Sequence, residues 1–475
     1  MDLRDYAAPE SFKLFNRYWT VPAAVCLGVE IVLVYGSVLA AYQIRFRPLD
    51  FFPYIGSELN LRAAAFTIVV VSSLYFHGLY DLHENREGWH QVRLLSRAFG
   101  SAAATLWILY YLVPTLWFGR GFFALAILLA GVSVAASRWL LGVELRGGLF
   151  NERVVIVGSD ETAKRLAREI LERKHLGYQV VGFLSDDPEL QGKSLFNPSV
   201  IGTTDHTCEL AIQNHASKVV IAQDDNRGHL DVDSLLECQT CGISVERSSA
   251  YYEQLTGKIL IASPRVRSWL AFSGGLNVPR TTLALKRLLD LAVSGCGLIL
   301  LAPLVAVLAI AQKLSSSGPV HYHQERVGKG GKIFEMIKLR SMVDRAEDGT
   351  GACWAKEGDQ RITRVGRLMR KTHLDELPQL WNVFVGNMSL VGPRPERPEF
   401  VSELTKQCLL YDWRGAVRPG ITGWAQIKAP YAASVEDSEE KLMFDLYYIK
   451  NLSLFLDLSI LASTLRTALL GKGAR

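Results

Sequence analysis

A chain of 475 residues is too long for one ordinary hydrophobic core, so two or more domains are expected. Apolar residues make up 49% of it and the mean hydropathy is +0.14, high for a wholly soluble protein; they gather in the first 145 positions and again near 288–311. The net charge of +5 suits anionic lipid or phosphate ligands and does not mark a nucleic-acid binder.

Four stretches, roughly 20–42, 62–80, 94–114 and 120–141, approach the ~20 apolar residues that cross a ~30 Å hydrocarbon layer. Residues 1–148 are therefore expected to form a four-helix transmembrane region. Trp19, Tyr80, Trp117 and Trp139 lie near the ends, where amphipathic rings favour the interface. Arg4, Lys13 and Arg17, then Arg86, Arg93 and Arg97, then Arg138, Arg146 and Arg153 flank one side. Arg45, Arg47, Arg62 and Arg120 flank the other. The balance leans towards both ends being cytoplasmic in a multi-pass membrane protein. The polar start and long first apolar run do not predict a cleavable signal peptide.

From Glu152 the period changes. Val154-Val155-Ile156-Val157-Gly158 reads as a buried strand, followed by a helix through Leu171 and by strand-like runs at 179–184, 218–222 and 242–246. Residues 149–250 are expected to form a small parallel, Rossmann-like α/β domain. Ser159 and Asp160 follow Gly158, so the later glycines of a dinucleotide fingerprint are missing and a domain without cofactor is the favoured reading. Cysteines stand at Cys26, Cys208, Cys238, Cys241, Cys296, Cys353 and Cys408 with no repeated spacing. The Cys238-x-x-Cys241 pair has no supporting histidines or second pair, which favours partly buried thiols in reducing surroundings.

A connector at 251–285 leads to an apolar run in 286–314. Lys286 and Arg287 precede that run, Lys313 follows it, and Pro303 lies in its middle. Matching charge at both ends and a helix-breaking residue between them predict a re-entrant membrane helix, although length alone permits a fifth span.

The remaining residues, 315–475, carry the chemistry. His323 to Lys332 is a loop rich in glycine and cations, and Lys338 and Arg340 stand two apart on an extended segment, placed to grip a diphosphate from one face. Arg361, Arg364, Arg367, Arg370 and Lys371 crowd ahead of Asp375-Glu376. Leu377, Leu380, Trp381, Phe384 and Val385 have helical spacing, which puts the two acids in a first helical turn, with Thr372 and Asp375 imitating a capping box. Gly392-Pro393-Arg394-Pro395 holds an arginine between prolines, a rigid presentation suited to an oxyanion at a fixed place. Adjacent carboxylates among cations suit phosphoryl chemistry, one as nucleophile and one as a ligand of Mg²⁺. In the last forty residues, Leu442, Phe444, Leu446, Tyr447, Leu454, Phe455 and Leu458 alternate with Asp445, Lys450 and Asp457. That pattern reads equally as amphipathic interfacial helices or as packed core helices.

Lys338-x-Arg340-Ser-Met, Asp375-Glu-Leu-Pro-Gln-Leu, Asn387-Met-Ser-Leu-Val-Gly-Pro-Arg394-Pro and Arg418-Pro-Gly-Ile-Thr-Gly-Trp-Ala-Gln426 resemble, in order, the signatures of the bacterial polyprenyl-phosphate sugar-1-phosphate transferases. These monotopic phosphoglycosyl transferases begin exopolysaccharide and O-antigen synthesis. The resemblance covers about 280–475, and the whole layout resembles the long form of the family, which implies the inner membrane of a bacterium. It implies that Asp375 attacks the sugar-linked phosphorus of a UDP-sugar and expels UMP, that Glu376 ligates Mg²⁺, and that undecaprenyl phosphate then takes the phospho-sugar. It places Lys338, Arg370 and Arg394 at the phosphates, with Arg340 as a further candidate, and Pro303 at the break of the re-entrant helix. Ala302 and Leu339 depart from the common serine and aromatic of that family. Glucose or galactose 1-phosphate is the sugar expected from the family, and a homodimer through the N-terminal half is a candidate assembly.

Two rivals remain open. A membrane-tethered nucleotide-sugar dehydratase or epimerase calls for a glycine-rich fingerprint and a Tyr-x-x-x-Lys pair, and neither is present. A non-catalytic scaffold of polysaccharide assembly predicts that Asp375→Asn preserves function.

Overall fold

The computed structural model describes residues 12–14, 17–19, 21–46, 57–80, 89–117, 119–147, 152–173, 177–194, 198–223, 231–261, 266–272, 278–343, 361–429 and 435–470; Arg4, Arg47, Arg86 and Cys353 lie outside them. The chain divides into two compact units, the first running essentially to Tyr251 and the second from Tyr252.

In the first unit, helices α1 (Val21–Phe46), α2 (Ser57–Phe76), α3 (Trp89–Leu112) and α4 (Arg120–Gly147) form a bundle around one apolar core. The buried line of α3 is Leu94, Ala98, Ala102, Leu106 and Tyr110, and α4 offers Phe122, Ala126, Ala130 and Val134. A residue every fourth position, often small, lets helices pack closely where lipid gives no hydrophobic drive. Helices α1, α2 and α4 are long and apolar enough to cross a membrane. Tyr80, expected at the membrane surface, is buried instead. Its hydroxyl donates to Glu30, which also pairs with Arg138 Nε at 2.7 Å across the bundle. A carboxylate on an apolar helix must find such partners.

The same unit contains β1 (Glu152–Val157), α5 (Glu161–Glu172), β2 (Tyr178–Leu184), β3 (Val200–Gly202), α6 (Thr207–Gln213), β4 (Lys218–Ile221), α7 (Val232–Thr240) and β5 (Ser244–Arg247). The strands pair in parallel in the order β3-β2-β1-β4-β5, a doubly wound sheet. The three-residue edge strand β3 was not predicted. Asp160 caps the start of α5, its Oδ1 accepting from Ala163 N at 2.9 Å. Cys208 and Cys238 lie in the sheet's core, where burial pushes the Cys208 thiol up to about 12, the behaviour of an inert thiol.

The second unit absorbs most of the expected connector. In the latter part of α8 (Ser248–Thr256), Glu253 takes Lys450 Nζ and Asn451 Nδ2, both at 2.7 Å. Beyond the short helix α9 (Val266–Phe272), α10 (Arg280–Ser315) runs unbroken through Pro303, so the break expected at that residue is not formed: the proline removes one helix hydrogen bond and the helix continues past it. Residues on both sides of the proline pack on this unit. Gly297 lies against Leu380, while Val305 and Leu308 pack with Leu339 and Met369.

An antiparallel hairpin, β6 (His321–Val327) and β7 (Ile333–Leu339), carries Lys338. It is followed by α11 (Arg364–Lys371), α12 (Gln379–Val385), β8 (Ser389–Val391), α13 (Pro398–Gln407), β9 (Gly420–Thr422), α14 (Trp424–Lys428), α15 (Val435–Lys450) and α16 (Leu454–Leu470). Two of the sequence motifs meet directly, because β8 pairs in parallel with β9. Their backbones touch where Gly420 faces Gly392. A Cβ on Gly420 would sit 2.1 Å from Gly392 N, so no side chain fits. Helix α15 buries Leu442, Phe444, Leu446, Tyr447 and Tyr448, which makes it a core helix and not an interfacial one.

Candidate active site

Asp375 and Glu376 do not lie in the first turn of α12. They occupy a separate 3-10 turn, Leu374–Glu376, entered through His373 at φ 56°. The expected capping box is absent, because Thr372 Oγ1 instead donates to Leu368 O and closes the end of α11. The left-handed residue turns the chain sharply between α11 and α12 and carries both acids towards the hairpin.

Glu376 gathers the cations. Its Oε1 accepts Lys338 Nζ at 2.8 Å and Arg394 Nη2 at 2.7 Å, joining the ends of three separate motifs. Burial alone would raise its pKa, but Arg394 and Lys338 hold the carboxyl far below the usual range. Burial pulls the Lys338 ammonium below the ordinary lysine value against the attraction of Glu376. With two cations on one oxygen, the pair is ionic.

Asp375 is different. Only 8% of its surface is exposed, and among the described residues no cationic side chain hydrogen-bonds to it. Burial raises its pKa, opposed by Lys338 and reinforced by Glu376, while Arg370 lowers it again. It is a poorly solvated carboxylate in a cationic setting, the state expected of an oxygen nucleophile. Arg370 is steadied by Ser341, with Nε donating to Oγ at 2.7 Å.

The structure thus brings Asp375, Glu376, Lys338, Arg370 and Arg394 together. Arg340 is drawn elsewhere. Strand β7 ends at Leu339, so Arg340 does not share the face of Lys338, and its guanidinium donates to Ser317 O at 2.6 Å and Ser316 O at 3.1 Å. It ties the chain leaving α10 to the hairpin. Arg364, Arg367 and Lys371 are exposed on α11, leaving Arg370 as the cation of that cluster nearest the acids. Sequence reasoning missed Asn382, which fixes β7 to α12 by donating Nδ2 to Glu335 O at 2.7 Å and accepting Ile337 N at 3.0 Å. A polar residue amid the apolar spacing of α12 was its only signal.

A divalent ion such as Mg²⁺ would find a carboxylate oxygen here. Both cations fall on Oε1, leaving Oε2 of Glu376 without a protein partner among the described residues. Magnesium takes one or two carboxylates and completes its shell from substrate phosphates and water. No cluster of three or more potential ligands occurs among the described residues.

Fold and site together define a membrane-associated enzyme equipped to handle phosphate. Residues 281–471 match the bacterial sugar transferase family, and residues 76–224 match a CoA-binding domain family. The chain is 29% identical over 469 residues to the UDP-glucose:undecaprenyl-phosphate glucose-1-phosphate transferase of Xanthomonas campestris pv. campestris, covering 95% of this chain and 94% of that protein. It is 34% identical to the protein of the same name from Klebsiella pneumoniae, over 71% of this chain and 72% of the relative. A UDP-N-acetylgalactosamine-undecaprenyl-phosphate N-acetylgalactosaminephosphotransferase of Aeromonas hydrophila is 42% identical over 51% of this chain and 56% of its own length. The chain belongs to the bacterial sugar transferases, the polyprenyl-phosphate sugar-1-phosphate transferases.

Proposed function

We propose that this enzyme moves a hexose 1-phosphate from a UDP-sugar to undecaprenyl phosphate, yielding undecaprenyl-diphosphate sugar and UMP, as a first step of exopolysaccharide or O-antigen synthesis. The observation that carries the reading is the division of labour between neighbours, with Glu376 compensated by Lys338 and Arg394 and Asp375, among the described residues, left without a hydrogen-bonded cation. An Oδ of Asp375 attacks the sugar-bearing β-phosphorus. The bond from that phosphorus to the bridging oxygen breaks, and the electron pair leaves with UMP. An oxygen of undecaprenyl phosphate then attacks the same phosphorus and frees the Asp375 carboxylate. Arg394, Lys338 and Arg370 offset charge on the phosphate oxygens in both steps. Glu376 would hold Mg²⁺, which when bound would neutralise charge on the diphosphate.

A cytoplasmic site at the lipid surface supports access to both substrates. Helix α10 is apolar enough to span, and Ile299 and Leu300 are 77% and 76% exposed. Yet only the stretch between Gly297 and Val305 separates its two points of contact with the second unit, about 10 Å of helix, far short of a ~30 Å layer. That geometry argues against a full crossing and supports a helix that lies along the second unit with its apolar face, including Ile299 and Leu300, turned to the membrane surface. Trp381 and Phe384 stack on α12, 50% and 40% exposed, which suits the adjoining interface.

The test is UMP release from membranes containing the enzyme, undecaprenyl phosphate and, in turn, UDP-glucose, UDP-galactose and UDP-N-acetylgalactosamine. Release with one of them, lost in Asp375→Asn, supports the reading. No release with any sugar, or unchanged release in the variant, contradicts it.

A further inference from the structure

The arginine that reaches Glu376 is held from behind. Arg414 lies in the turn Tyr411–Ala416, and its Nη2 donates to the backbone oxygen of Arg394 at 3.0 Å. Its other donors are committed as well. Nε meets Asp445 Oδ2 at 2.8 Å and Nη1 meets the Tyr411 hydroxyl at 2.6 Å, while the guanidinium carbon sits 5.0 Å from the centre of the Tyr411 ring. Asp445 is buried on α15, so the pair has no ready exchange with water.

The neighbouring backbone is fixed in the same manner. Arg326 Nη1 donates to Pro395 O at 3.1 Å, Val327 N to Glu396 O at 3.0 Å, Gly420 N to Pro393 O at 2.9 Å and Gly392 N to Thr422 O at 2.9 Å. A buried arginine paired with a buried aspartate is costly to desolvate and adds little stability over a well-packed apolar pair. Its specific use here lies in geometry. A planar guanidinium with all three nitrogens engaged sets the position of one carbonyl, and that carbonyl belongs to the residue whose side chain meets Glu376.

We infer that Arg414, oriented by Asp445 and Tyr411, is a positioning residue for the sugar-phosphate transfer, acting through the backbone of Arg394 to hold that guanidinium over the phosphate site. The inference rests on the proposed role of Arg394 at the phosphates. Arg414 itself touches no substrate. A lysine at 414 keeps the charge but cannot reach Asp445, Tyr411 and the carbonyl at once.

The test is a double-mutant cycle on the full-length enzyme in detergent or vesicles, comparing Arg414→Lys, Arg394→Ala and both together. Three quantities are read: kcat and KM for UMP release, affinity for UDP (the diphosphate common to all UDP-sugars), and thermal unfolding. Arg414→Lys is expected to lower kcat/KM roughly 10–100-fold, the scale of a small misplacement of a catalytic group. Its melting temperature is expected to fall, because the buried Asp445 loses part of its pairing, so kinetics and affinity are compared below the transition of every variant. In the Arg394→Ala background the same change is expected to alter UDP affinity and residual turnover by less than about twofold, because the group it positions is gone.

Equal losses in both backgrounds, or no loss in the parent, overturn the positioning role. UDP affinity extends the comparison to any variant whose turnover falls below detection. Full activity in Arg394→Ala would instead strike at the active-site reading itself, an outcome distinct from loss in Arg394→Ala with none in Arg414→Lys.

Discussion

Arg394 Nη2 lies 2.7 Å from Glu376 Oε1, although a turn, a helix and a strand separate the two residues in the chain. Lys338 approaches the same oxygen from the hairpin, so the charge of Glu376 is compensated within the protein. Asp375, one residue away, has no such cation bonded to it among the described residues. The contrast explains how adjacent carboxylates hold different roles, since environment and not residue type sets each one's basicity.

The first prediction concerns pH. Asp375 must be ionised to attack, and burial raises its pKa, so activity is lost on the acid side at a pH above that of an ordinary aspartate. Lys338 must be charged, and burial lowers its pKa, so the alkaline limb falls below the ordinary lysine range. The pH profile of kcat/KM for UMP release checks both limbs.

A second prediction follows from linkage. A carboxyl with a raised folded pKa binds its proton more tightly when folded, so its contribution to stability is greatest below its unfolded pKa and declines as pH rises through the folded one. Asp375→Asn is therefore expected to raise the melting temperature at neutral pH while abolishing turnover. Near pH 4 the gain in melting temperature shrinks. A drop at neutral pH would show that the carboxylate is better satisfied than its burial indicates.

Within the bundle, Arg138→Ala leaves Glu30 buried without its cation, which costs about 3–5 kcal/mol. Pairing Arg138→Met with Glu30→Gln recovers most of that. Thermal unfolding in detergent distinguishes the two, and transfer activity measured below the transition is expected to change little in the double variant.

The close approach of β8 and β9 gives a fourth test. Gly420→Ala drives a methyl group into the backbone at Gly392 and is expected to cost about 3 kcal/mol or more. Limited proteolysis of the second unit reads the loss. Gly192→Ala places its methyl in open space, but φ there is +72°, so it serves as a milder, strain-only comparison.

Much of this was legible in the sequence, and the misses have physical causes. The apolar runs marked the helices because lipid demands length and composition, and the strand run ending at Gly158 marked β1. The four motifs named the acids and the cations. Backbone direction stayed hidden, since nothing local says that β7 stops at Leu339 and sends Arg340 to the end of α10. Nor does spacing show that His373 adopts a left-handed turn and removes Asp375 from the next helix. The amphipathic pattern of α15 was ambiguous because a core helix and an interfacial helix share the same period. Only neighbours decide, and here they bury it.

The most direct measurement is mass spectrometry of the enzyme after incubation with its UDP-sugar and Mg²⁺ in the absence of undecaprenyl phosphate. A hexose phosphate attached to Asp375, with about one UMP released per enzyme and discharge on adding the lipid acceptor, is the expected result. UMP appearing only when undecaprenyl phosphate is present, with Asp375 unmodified, would contradict the attack by this carboxylate on phosphorus.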